Sequence, residues 1–151
     1  MIDVNQCKKF VDQETYNSWF RKWHPIKGDI LISTVGSVGQ ISQVFDEKIS
    51  IAQNIVALRF PSYGNFLYEL LKSIQNEIIS IDISSVQPSI KVPHLLDIAI
   101  IIPFRQIIED FENTILPFTK KISENNSQIK SLSKTRDELL PRLMSGEVRV
   151  I

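Results

Sequence analysis

The residues able to do chemistry in this sequence are few and scattered. His24 and His94 are far apart, and neither has a second His, Cys or Glu at the spacing of a metal site. Cys7 is the lone cysteine, with no neighbouring base to activate its thiol. The acidic pairs Asp46-Glu47 and Asp137-Glu138 read as a turn and as a solvated helix face. Gly36-Ser37-Val38-Gly39 lacks the Gly-Lys-Ser/Thr ending of a phosphate-cradling loop. These residues predict no catalytic group, no metal ligand and no cofactor.

Two segments suit contact with nucleic acid. Lys8, Lys9, Arg21, Lys22 and Lys27 are interleaved with Phe10, Tyr16, Trp19, Phe20 and Trp23, a pattern that can place phosphate contacts beside an aromatic platform. The competing reading makes those aromatics core and those charges a solvated face. The loop Ser84-Ser85-Val86-Gln87-Pro88-Ser89-Ile90-Lys91 carries short hydroxyls, an amide and a lysine. Gln can address adenine edges, and Ser and Lys can hold phosphates; the competing reading is an ordinary connecting loop. The candidate DNA contacts are therefore Lys8, Lys9, Arg21, Lys22, Ser85, Gln87 and Lys91.

Charge argues against tight, unaided DNA binding. The 17 Lys/Arg balance 17 Asp/Glu, whereas lone nucleic-acid binders are often strongly basic. Residues 1–60 carry 7 basic against 6 acidic side chains, residues 61–103 carry 2 against 4, and residues 104–151 carry 8 against 7. Any basic face must come from three-dimensional arrangement or from a partner. The hydrophobic share of 43% places the chain among globular proteins. The longest apolar run, Ile98–Ile102, is far below the ~20 residues of a membrane span. The opening MIDVNQCKKF has no apolar core behind its basic residues, so it does not read as a secretory signal. A reducing cytoplasm is the expected location.

The elements that must position these residues fall into three regions. Residues 1–60 read as turns and strands: a turn at Lys27-Gly28-Asp29, a buried strand at Ile30–Ser33, a second turn in TVGSVGQ, and a strand-rich stretch from Ile49 to Phe60 centred on Ile55–Leu58. Over 64–79, Phe66, Leu67, Leu70, Leu71, Ile74 and Ile78 recur at helical spacing. Two short β-rich stretches are predicted at Ile78–Ile83 and Asp97–Ile102. Pro88 and Pro93 favour a surface loop between them.

From Phe104 the spacing becomes that of a long helix. Ile108, Phe111, Ile115, Phe118, Ile122, Asn125, Ile129, Leu132, Arg136, Leu139 and Leu143 alternate steps of three and four, which is a coiled-coil seam. Asn125 is the kind of seam residue that fixes register. Pro117 and Pro141 are expected to kink the rod or divide it. Residues 108–144 would span ~55 Å as helix. A seam of that length needs a second helix, and the sequence supplies one only. The alternative is a helix that folds back on itself at Asn125-Asn126.

The order of segments resembles type I restriction-modification specificity subunits. WFRKWHPIKGDILISTVGSVGQ is similar to their "W, basic residues, KGDILIS, GSVG" segment. SIAQNIVALRF resembles the "SQN, apolar strand, R" segment that follows. SSVQPSIKVPHLLDIAIIIP resembles the "S-x-QP-x-I, then L-x-x-I-x-I-P" segment, and LSKTRDELLPRLMSGEVRV is very similar to the closing "RD-x-LLP-x-LMSGE". The four cover most of residues 19–151, and the last is the most specific.

The resemblance implies an α+β chain: a small strand-rich target-recognition domain over residues 1–103, a conserved coiled-coil-type spacer helix over 104–146, and a tail over 147–151. It implies a non-catalytic subunit that reads part of a bipartite site on double-stranded DNA and joins methylation and restriction subunits. Its helix would pair antiparallel with that of a second copy or another specificity half-subunit, with no membrane partner. Family domains usually begin some tens of residues earlier, so the N-terminal part of this domain is expected to be missing. GDILIS and GSVG are expected to be structural. The rival expectation is a fragment that pairs through its helix and no longer reads DNA.

Overall fold

The computed structural model describes residues 10–19, 24–45, 49–81 and 87–148. In chain order the elements are α1 (Gln13–Trp19), β1 (Ile30–Ser33), β2 (Ile41–Gln43), β3 (Ile55–Leu58), α2 (Gly64–Ser73), α3 (Gln75–Ser80), α4 (Val92–Leu96) and α5 (Arg105–Met144). The chain divides into two compact units, residues 1–112 and 113–151. The boundary falls inside α5 and not at Pro103, because the first two turns of that helix pack with the sheet-bearing unit.

β1 is the centre of a three-stranded antiparallel sheet in the order β2-β1-β3. Its pairings include Leu31 with Ser42 and Leu31 with Ala57. A central strand covered on both faces needs apolar side chains at every position, and Ile30, Leu31 and Ile32 are all buried. Alternation then sorts them. Ile30 and Ile32 face Val38, Ile41, Leu71, Ile78, Ile90 and Leu95, while Leu31 faces Val44 and Ile49. Each fully buried Ile contributes roughly 1.5–3 kcal/mol of burial free energy. β3 follows the same alternation, with Val56 and Leu58 on the larger cluster and Ile55 and Ala57 on the smaller.

Asp12 starts α1 by accepting the Thr15 backbone N–H at 2.6 Å, a side-chain cap on the first turn. That bond holds the Asp12 carboxyl below its ordinary range. The helix expected over 64–79 is present as two, α2 and α3, joined at Ile74.

Of the two predicted β-rich stretches, the first is corrected over its described residues, with residues 82–83 lying outside them, and the second throughout. Ile78–Ser80 belong to α3, where Ile78 is 0% exposed; its helical spacing from Leu71 and Ile74 carries it into the core. Asp97–Ile102 form no strand, and Ile100, Ile101 and Ile102 are exposed. Strand preference reflects fit to a paired, half-buried surface, and among the described residues this run has no strand paired with it. The Pro93 region is not all loop either, since that proline sits in the first turn of α4, where its missing N–H costs nothing.

α5 runs unbroken from Arg105 to Met144 with both Pro117 and Pro141 inside it. It is neither divided nor folded back at Asn125-Asn126. Each proline removes one backbone bond, and the uninterrupted bonds on either side carry the helix through. Gly146, at φ 75°, ends it. Its N–H bonds to Leu143 O at 3.2 Å, and the Val148 N–H bonds to Arg142 O at 3.2 Å, so two otherwise open carbonyls are satisfied. Among the described residues, no helix is long and apolar enough to cross a membrane.

Candidate nucleic-acid interface

Lys8, Lys9, Arg21, Lys22 and Ser85 lie outside the described residues, as do Cys7 and the Asp46-Glu47 pair. Gln87 and Lys91 are described, and both are exposed. They flank a short segment held by backbone bonds to the turn after β1. Gly36 N–H donates to Pro88 O at 3.0 Å, and Ile90 N–H donates to Thr34 O at 2.8 Å. Val35 and Ser89 thereby form an isolated antiparallel bridge. The two segments singled out in the sequence, TVGSVGQ and QPSIK, are one structural feature.

The turn that receives the loop is itself fixed. Ser33 Oγ donates to Ser37 O, and Gln40 N–H donates to Ser33 Oγ at 2.9 Å. Thr34 is buried; its backbone N–H and its hydroxyl both donate to Asn54 O, at 2.8 and 3.1 Å. Gly39 adopts φ 73°, and a Cβ there would stand 2.5 Å from Ile79 Cγ1. The Gly39 carbonyl also accepts Gln75 Nε2 at 2.7 Å. Gly36, Ser37 and Gln40 are exposed beside the loop.

The Lys27-Gly28-Asp29 turn is tied to the end of β3. Asp29 is 2% exposed and accepts both Arg59 Nε and Arg59 Nη2 at 2.7 Å, besides the Ile26 N–H at 2.8 Å. Arg59 Nη2 also reaches His24 O at 3.1 Å. The hydrogen bonds that Arg59 donates to Asp29 raise the Arg59 pKa above its ordinary value. His24 stacks on Tyr16, with ring centroids 3.9 Å apart and planes within 9°. Arg59 is the arginine that closes SIAQNIVALRF, but its place in the sequence does not reveal Asp29 as its partner. His94 is exposed on α4.

The seam of α5 has two parts. Ile108 is buried within the chain, and Phe111 lies edge-on to Phe66 at 6.1 Å and 81°. Ile115 is half-buried. Phe118, Ile122, Asn125, Ile129, Leu132, Leu139 and Leu143 are exposed, with Phe118 at 64% and Leu132 at 68%. Arg136 is exposed and pairs with Asp137 at 2.7 Å. The Asp137-Glu138 pair is solvated, as expected for an outer helix face.

Among the described residues, no group of three His, Cys, Asp or Glu could hold a metal ion. The turn and the loop together present an exposed edge that carries hydrogen-bonding groups. The α5 face can bury apolar surface against another helix.

Comparison with known proteins gives the family and the fold. The chain is 38% identical over 85 residues to the type I restriction enzyme MjaIX specificity subunit of Methanocaldococcus jannaschii; the match takes in 56% of this chain and 20% of that protein. The fold is similar to that of the S subunit of a type I restriction-modification system from M. genitalium, with a TM-score of 0.60 and 24% identity over 82% of this chain and 34% of that one. The chain thus spans about a fifth to a third of the length of these relatives. The model of the type I restriction modification DNA specificity domain matches residues 16–134, and the chain belongs to that family.

Proposed function

We propose that this chain is a non-catalytic DNA-reading half of a type I specificity subunit, addressing one part of a split site on double-stranded DNA. The observation that carries this reading is the Gln87–Lys91 loop, with Gln87 and Lys91 exposed, fastened by backbone bonds to the turn at Thr34–Gly36. A loop that reads bases must be held by its scaffold and present polar side chains at the surface. Gln87 and Ser85 would address base edges or backbone. Lys91, Lys8, Lys9, Arg21 and Lys22 would anchor phosphates. No cofactor is required.

The exposed face of α5 favours a paired state. Two copies of the chain, or this chain and another specificity half-subunit, would bury Phe118, Ile122, Ile129 and Leu132 between antiparallel helices. A twofold axis is the usual symmetry of such a dimer. Methylation and restriction subunits of the type I system would assemble on the pair, in the cytoplasm. Zero net charge favours a second reading, an assembly module that pairs without reading DNA.

A gel shift on double-stranded DNA, with and without a methylation-subunit partner, tests the proposal. Sequence-dependent retention in the presence of the partner is expected. Assembly with the partner but equal retention of all sequences would leave the assembly module as the function.

A further inference from the structure

Helix α2 begins without a cap of its own. Tyr63 at its N-cap makes no side-chain cap bond, and its first turn holds no acidic residue. The first N–H groups of a helix need partners from elsewhere, and here α5 provides one. Glu112 Oε1 accepts the Phe66 backbone N–H at 2.8 Å, and Glu112 Oε2 accepts Asn65 Nδ2 at 2.8 Å. Asn65 Oδ1 in turn accepts Gln43 Nε2, from β2, at 3.1 Å. All three side chains are buried.

One turn earlier on α5, Glu109 accepts the Tyr63 hydroxyl at 3.2 Å and Arg105 Nε at 2.7 Å. The Arg105 bond, with that from Tyr63, holds the Glu109 carboxyl below its ordinary range. Two carboxylates three residues apart share one helix face. Both lie at the start of α2, where the helix dipole favours negative charge. The same end of α2 is fixed from another direction, since a Cβ on Gly64 would stand 2.5 Å from the Gly28 carbonyl oxygen.

We infer that Glu112 is a positioning residue, which sets the orientation of the first turns of α5 on the sheet through the buried chain Gln43–Asn65–Glu112. Apolar contacts such as Phe66 on Phe111 attract without direction and tolerate sliding. Hydrogen bonds lose strength steeply with misalignment. A rotated α5 would leave a carboxylate, an amide and a helix-start N–H buried without partners. The sheet-bearing unit ends at Glu112, so this contact closes that unit. On the reading that this is a DNA-recognition half with a spacer helix, the clamp makes the root of the spacer part of the reading unit.

Residue-resolved hydrogen exchange on the full chain tests this without DNA, so failure of DNA reading would not alter the outcome. In Glu112→Ala, the Phe66 amide and those of residues 108–112 should exchange roughly tenfold faster, as expected for loss of local bonding. The amides of β1 should change by less than about twofold. Glu112→Gln retains one oxygen acceptor and should fall between. If the Ala variant does not fold, Glu112→Gln decides by the same readout. No acceleration at Phe66, or uniform acceleration through β1, α2 and α5, overturns the inference.

Discussion

Arg59 grips Asp29 with two hydrogen bonds of 2.7 Å, although the two residues are 30 positions apart. The grip closes the turn entering β1 against the end of β3, and Asp29 is almost wholly buried beneath it. Its carboxylate has the Ile26 N–H as its other donor.

Arg59→Ala should therefore lower stability by about 2 kcal/mol or more, since it strands a buried charge. Arg59→Lys should recover only part of this, because an ammonium cannot form the parallel pair of bonds. Urea unfolding of the three proteins measures the difference. Equal midpoints would show that the pair holds nothing.

Gly64→Ala separates helix propensity from close approach. Propensity alone favours Ala within a helix by up to about 1 kcal/mol. The Gly28 carbonyl leaves no room for the added carbon, so a net loss of roughly 1–3 kcal/mol is expected from thermal or denaturant unfolding. A stabilised variant would contradict the contact.

The Asp12 cap should fail in acid. Its carboxyl is held below the ordinary range by the Thr15 N–H, so its contribution is present above the unfolded-state pKa. That contribution is lost as pH falls through the lower folded-state value. NMR should show α1 fraying with falling pH in step with the Asp12 side-chain signal. Asp12→Asn should remove that component of the pH response.

DNA binding should depend on salt through a small number of phosphate contacts. Lys91→Ala should reduce the slope of log affinity against log salt by about one. Replacing Arg21 and Lys22 together should flatten it further. A slope unchanged in both variants would remove these residues from the interface.

The exposed α5 face should hold two chains together. Sedimentation at tens of micromolar (an order-of-magnitude choice for weak self-association) should give a dimer mass, and Ile122→Asp with Ile129→Asp should give a monomer. Each large buried side chain would contribute at most roughly 1.5–3 kcal/mol before association costs. A monomeric intact chain would leave only a different partner helix.

The sequence by itself determined the elements whose signals are local. Ile30–Ser33 and Ile55–Leu58 read as strands because short apolar runs bounded by turn residues have few alternatives, and the α5 seam shows in its spacing alone. The family showed in four ordered motifs. Tertiary structure decided what depends on residues distant in sequence. Ile78 joined a helix because the core lay on that side, while Ile100–Ile102 stayed outside the sheet for want of a neighbouring strand. The loop around Gln87 acquired its anchor only when folding brought Thr34–Gly36 beside it. The partners of Arg59, Asn65 and Glu112 were not legible in the sequence, because a buried ion pair or hydrogen-bonded chain joins groups that no spacing rule connects. The face of α5 beyond Ile115 lies exposed within one chain, since a heptad seam specifies an apolar stripe but not the surface that covers it.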